Sequence, residues 1–312
     1  MKINPAVEDR ARGVTIGGVR ILAGLMWLAN LHWKVPADFG ESSGRGLYKY
    51  VAAGAENAPF APYRWVLREL VVPNFQAFGW FTLISETVVA ALLLIGYRSR
   101  LVALAGALMA VPIGLSVLYY PTAYEWAWSY LLMIGLHLLL WAIASGDHLA
   151  VDAVLTGEPQ RARRALQSVG IVTTVLGIAG LFVARSVEFA GEKAALLGSD
   201  AGFRDAAKDG ALTRRWELKF LWFNPLWALL TIAFGVLLIV GSRRVVVAYV
   251  ASACLAGIAV WAFFQQTFVY LRDDGAAQTV ATASNVAVWG GLALAGFLLA
   301  RRSQAAEAPS PE

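Results

Sequence analysis

Residues 75–130 read FQAFGWFTLISETVVAALLLIGYRSRLVALAGALMAVPIGLSVLYYPTAYEWAWSY. Two apolar runs, 76–95 and 101–119, flank the short basic turn Tyr97-Arg98-Ser99-Arg100. Each run has about the 20 residues a helix needs to cross hydrocarbon. Near the middle of the first run stands one carboxylate, Glu86. An acid at membrane depth costs a few kcal/mol, roughly 2.5–3.5 on insertion scales, so such residues are few and usually functional.

The rest of the chain has the same character. Of 312 residues, 58% are hydrophobic and 15% charged, against about 45–50% and 25% in soluble domains. The mean hydropathy is +0.59. The fold expected is an all-α polytopic membrane bundle with eight spans, near 14–31, 76–95, 101–119, 127–144, 166–185, 222–240, 245–265 and 283–300. The polar start, 1–13, is unlike a cleavable secretory signal, so the first span is expected to stay as an anchor. The polar tail 303–312 reads as disordered.

Basic residues mark alternate short loops: Arg10 and Arg12, Arg98 and Arg100, Arg161, Arg163 and Arg164, Arg243 and Arg244, Arg301 and Arg302. By the positive-inside rule both termini are cytoplasmic, in the cytoplasmic membrane, and loops 35–75 and 187–221 face outside. Within the first outer loop, Tyr63, Val66, Leu67 and Leu70 share a face at helical spacing. A short helix lying on the outer surface is expected there.

Shifting the chain against itself by 145 residues aligns Leu92-Leu-Leu-Ile-Gly-Tyr-Arg98 with Leu237-Leu-Ile-Val-Gly-Ser-Arg243. Two four-helix units follow from this, 1–157 and 158–302, the second a diverged copy of the first. Glu86 falls opposite Thr231, which assigns any chemistry to the first unit.

Several functions are disfavoured. The net charge of +5 is dispersed over helix ends and forms no stripe for nucleic acid. One cysteine, Cys254, allows no dithiol relay within the chain. His32, His137 and His148 sit at three depths, unlike the facing axial ligands of a b-type haem. No Cys or His pair has metal-ligand spacing, and no Gly-rich nucleotide or flavin fingerprint occurs. No haem, flavin or metal is therefore expected.

Glu86 is the candidate catalytic residue. Burial disfavours a carboxylate anion, so such an acid either holds a proton or pairs with a cation. Arg20 in the first span is the obvious cation. His32, Trp33 and Lys34 end that span at the outer surface, where Lys34 either snorkels as an anchor or attracts an anion. Glu125-Trp-Ala-Trp-Ser-Tyr130 opens the fourth span, with Trp126, Ser129 and Tyr130 on one face. These residues read either as an interfacial aromatic cap or as the wall of a headgroup pocket. Arg20, His32, Lys34, Trp126 and Tyr130 are thus candidate binding residues around Glu86. Asp147 and Asp152 read as solvent-facing or cap residues.

Across 20–155 the sequence resembles the DoxX/DoxD-like membrane proteins, which include the small subunit of thiosulfate:quinone oxidoreductase. The resemblance rests on Arg20 followed by Gly24, on Trp33-Lys34, and on Glu86 followed by Leu-Leu-Leu-Ile-Gly-Tyr-Arg-Ser-Arg100. It also rests on Glu125-Trp-Ala-Trp-Ser-Tyr130 and on Gly146 to Asp152-Ala-Val-Leu155. It departs from the family in having Asp147 where Gly-Arg is common, and in having four further spans. It implies a four-helix bundle acting in a quinone-linked redox system, with quinone as substrate and thiosulfate or a similar oxoanion oxidised at the outer face. A redox partner subunit there is implied too. The rival reading is a non-enzymatic scaffold or assembly partner, or a small-solute carrier.

Overall fold

The computed structural model describes residues 5–31, 34, 38–42, 44, 46–117, 127–143, 146, 148–189, 225–269 and 276–305. His32 and Trp126 lie outside the described residues, as do Trp33, Glu125 and Asp147. Helices account for the regular structure, with no strand among the described residues. The protein is an all-α polytopic membrane bundle. Among the described residues, six helices are long and apolar enough to cross a membrane. Two shorter apolar helices, Ser129–Ala142 and Leu226–Gly241, lie where the fourth and sixth spans were expected.

The first half comprises α1 (Pro5–Asn30), α2 (Gly46–Asn57), α3 (Ala61–Val66), α4 (Phe75–Ile95), α5 (Ser99–Val117) and α6 (Ala127–Ala142). A short α7 (Val151–Leu155) leads to α8 (Pro159–Phe189). After it come α9 (Pro225–Gly241), α10 (Val245–Val269) and α11 (Ala276–Ala305). In the first half α1 packs on α4, α4 on α5, α5 on α6, and α6 returns to α1. In the second, α8, α9, α10 and α11 pack in the same cyclic order. The link between halves is α11, which also packs on α4 and α7.

The first long loop differs from expectation in two ways. An additional helix, α2, buries Leu47, Val51 and Ala55 and packs on α5. Its Gly54 permits this, since a Cβ there would stand 2.7 Å from Ser116 Oγ. Nor does the 60–72 segment form a separate surface helix. From α3 the chain runs through a π turn, Leu67–Val71, and a 3-10 turn, Val72–Asn74, straight into α4. The extra residue of the π turn rotates the apolar face, so Leu67 is buried while Val66 and Leu70 are exposed.

The turn between α4 and α5 is closed by Gly96 at φ 68°. Its N–H bonds Leu93 O, and the Tyr97 N–H bonds Leu92 O at 3.0 Å, the paired bonds of a Schellman cap. A side chain is excluded here twice over: by the left-handed backbone, and because a Cβ would lie 2.4 Å from Arg20 Nη1 and 2.5 Å from Ala150 Cβ.

Candidate functional site

On α4 the inward face carries Gly79, Thr82, Leu83, Glu86, Val89, Ala90 and Leu93, all buried. The spacing of three and four residues turns Glu86 inward with its apolar neighbours. Glu86 is 0% exposed, so something must compensate its carboxylate.

That group is Lys34. Its Nζ lies 2.7 Å from Glu86 Oε2, and the two side chains are 1% and 0% exposed. The same ammonium donates to Asn30 O at 2.8 Å, a carbonyl of the last turn of α1, where a cation also meets the negative end of the helix dipole. Asn30 Nδ2 contributes a long donor contact of 3.4 Å to Glu86 Oε1. Lys34 therefore neither snorkels nor faces the surface: it folds back over the end of α1 and enters the bundle.

The expected pairing of Glu86 with Arg20 is corrected. Arg20 is also fully buried, but its guanidinium donates to Leu93 O and Leu94 O at the end of α4 and, at 2.5 Å, to Leu149 O. The reason is register. Arg20 lies level with the Gly96 turn, whereas Asn30 lies level with Glu86. Seven residues separate Glu86 from Leu93, a rise of about 10 Å along the helix. Arg20 is a helix C-terminal cap in a second polar knot. There Asp152 accepts from the Arg98 N–H at 2.8 Å and the Ser99 N–H at 2.9 Å, capping α5. The Asp152 N–H in turn bonds Gly96 O at 3.0 Å.

An aromatic cluster packs on the same face of α4, two turns before Glu86. Phe39 is fully buried and packs on Gly79, where a Cβ would stand 2.2 Å from its ring. Trp80 meets Phe39 edge-on at 5.6 Å and Phe263 of α10 at 6.2 Å. Gly79 precedes Glu86 by two turns on the same face, about 10 Å along the helix.

Trp27 and His137 form a third buried set. The Trp27 Nε1–H donates to His137 Nε2 at 2.8 Å, and His137 Nδ1 meets Met133 O at 2.7 Å. Indole only donates and a carbonyl only accepts, so the imidazole carries its hydrogen on Nδ1. Gly106 of α5 makes the room, since a Cβ there would lie 2.3 Å from His137 Cδ2. His148 is exposed and packs over Gly13. Among the described residues no three His, Cys, Asp or Glu side chains gather as metal ligands. Tyr130 is half-buried on α6, beside Gly114 of α5.

Sequence reasoning missed Asn30, α2 and the Trp27–His137 pair. Lone glycines in apolar helices, Gly54 and Gly106, were the available signals for the last two.

The architecture defines a polytopic helical membrane protein whose first half encloses an acid and its cation. Residues 49–168, largely within that half, match the family described as TQO small subunit DoxD. The match spans α2 to the start of α8 and includes Glu86 and Tyr130, whereas Arg20, Asn30 and Lys34 on and after α1 precede it. No curated protein and no solved structure matches the chain significantly.

Proposed function

We propose that the chain is the membrane subunit of a quinone-linked redox system of the thiosulfate:quinone oxidoreductase type. Thiosulfate or a similar sulfur oxoanion is oxidised at the outer face with a partner subunit, and quinone is reduced between helices of the first half. The family match of residues 49–168 supports the class. The observation that carries the mechanism is the buried Lys34–Glu86 pair at 2.7 Å.

Joining two thiosulfates as tetrathionate releases two electrons, and reducing a quinone to quinol consumes those electrons and two protons. Glu86 is the group placed to pass protons within the bundle. A carboxyl that gives up its proton in a dry site needs a counter-charge at once, and Lys34 supplies it without moving. Asn30 orients the second carboxylate oxygen. The Lys34 and Glu86 side chains are both buried from water, which strengthens the charge interaction between them. Beside Glu86 on α4, a crevice of about 370 Å³ runs over Leu83, Ile84, Thr87 and Val88 and is walled by α10 and α11. Its apolar lining suits an isoprenoid tail. Arg68, exposed on the π turn, adds positive charge where an oxoanion would arrive.

The test is thiosulfate-dependent reduction of a soluble quinone by the purified protein together with its partner subunit. Turnover that requires this chain supports the reading. A partner that turns over equally well without it, with this chain serving only to hold it at the membrane, supports a scaffold instead.

A further inference from the structure

We propose that the crevice between the two halves is a binding site for one anionic diacyl phospholipid. The crevice encloses about 640 Å³ and is walled by α1, α4, α7, α8 and α11, with Leu25, Leu94, Val154, Val172 and Leu299 among its lining residues. Along α8 the lining runs from Ala165 to Leu176 and along α11 from Ala287 to Leu299. At 1.5 Å per residue these are lengths of roughly 16–18 Å. That is about one leaflet of a 30 Å hydrocarbon core, the depth of an acyl chain rather than of a whole span.

Charge complementarity at one end identifies the occupant as anionic. Arg302 follows Leu299 by three residues on the same face of α11. Its Nη2 donates to Gly157 O at 2.9 Å, and its Nε is buried without a partner among the described residues. Arg161 precedes Ala165 by one turn on the crevice face of α8. A Cβ on Gly157 would lie 3.8 Å from Arg161 Nη1. Two guanidinium groups therefore converge on one glycine at the mouth of an apolar crevice, with Ser168 just inside it. Of the nearby carboxylates, Asp152 is engaged at Arg98 and Ser99, and Glu158 is exposed. A phosphodiester headgroup fits between the arginines while its chains fill the crevice, in the manner of basic pockets between membrane helices. The lipid would thus fasten α8 and α11 to α1 and α4.

The full-length protein, purified in a non-ionic detergent, is tested with dioleoyl-phosphatidylglycerol, dioleoyl-phosphatidylcholine and ubiquinone-10. Melting temperature and native mass spectrometry are the readouts. Phosphatidylglycerol should be retained one to a protein and raise Tm, and phosphatidylcholine should do neither. Arg161→Gln, an exposed position, should leave the lipid-free Tm unchanged and weaken retention about fivefold, the equivalent of about 1 kcal/mol per basic residue near an anionic headgroup. Val172→Trp, which fills the crevice from an exposed position and leaves the arginines intact, should abolish retention. Equal retention of both phospholipids, or undiminished phosphatidylglycerol retention in both variants, overturns the proposal. So does retention of ubiquinone-10 that phosphatidylglycerol fails to displace, which would make the crevice an isoprenoid site.

Discussion

Removing one member of the Lys34–Glu86 pair should cost far more than removing both. The pair is 1% and 0% exposed at 2.7 Å, so each charge has given up its water for the other. Taking away one partner of a buried pair leaves an uncompensated charge and costs about 3–5 kcal/mol, whereas replacing both with residues of similar volume is often neutral. Lys34→Met strands the buried carboxylate. Glu86→Gln keeps an amide acceptor for Lys34 and Asn30 but leaves the ammonium without a counter-charge. At roughly 2 °C per kcal/mol for a domain of this size, each single variant should melt about 6–10 °C below wild type. The double variant Lys34→Met, Glu86→Gln should recover most of that loss. The assay is a double-mutant cycle on thermal unfolding in detergent. Additive single effects would mean that the pair is not a coupled buried unit, and the reasoning would fail.

Three further outcomes follow from other parts of the molecule. Arg20→Met should lower Tm by several degrees, because bonds from a charged donor contribute about 1.5–3 kcal/mol each when buried. Arg20→Lys should rescue it only in part, since an ammonium lacks the fork that spans Leu93, Leu94 and Leu149. Gly106→Leu should destabilise by about 1–3 kcal/mol and shift Trp27 fluorescence, since the new side chain displaces His137 from the indole; an unchanged spectrum would contradict the geometry. The orientation expected from the basic loops predicts that Ala308→Cys resists a membrane-impermeant thiol reagent in intact cells and reacts after lysis. Ready labelling of intact cells would reverse the orientation.

Much of the architecture was legible because hydrocarbon thickness imposes run length. Glu86 was legible as an inward residue because a lipid-facing carboxylate is so costly. Helix ends were less so. The helix of the fifth span, α8, begins at Pro159 rather than near 166, because Arg161, Arg163 and Arg164 continue it beyond the apolar run. The partner of Glu86 was hidden for a different reason. Depth counted from span ends places Arg20 and Lys34 only loosely, and the antiparallel register of α1 on α4 decides between them. That register is set by Gly24 against Leu94 and by Gly96 against Arg20, contacts that no single-chain periodicity encodes. Lys34 misled for a further reason: a lysine after an apolar run ordinarily reaches out to water, and here its side chain turns inward to Glu86. Helix α2 was obscured by its own composition, since Ala53, Gly54 and Ala55 give little hydrophobic contrast.

Glu86 as the proton-handling residue is tested most directly by turnover of a variant that cannot titrate there yet folds. The double variant Lys34→Met, Glu86→Gln, reconstituted with the partner subunit, is compared with wild type for thiosulfate-dependent quinone reduction at a temperature where both are fully folded. Loss of a positioned acid–base group lowers rates by about 10²–10⁴-fold, and a fall in kcat of at least about 10²-fold is the result predicted. A variant equally stable and turning over at the wild-type rate would contradict it and remove Glu86 from the mechanism.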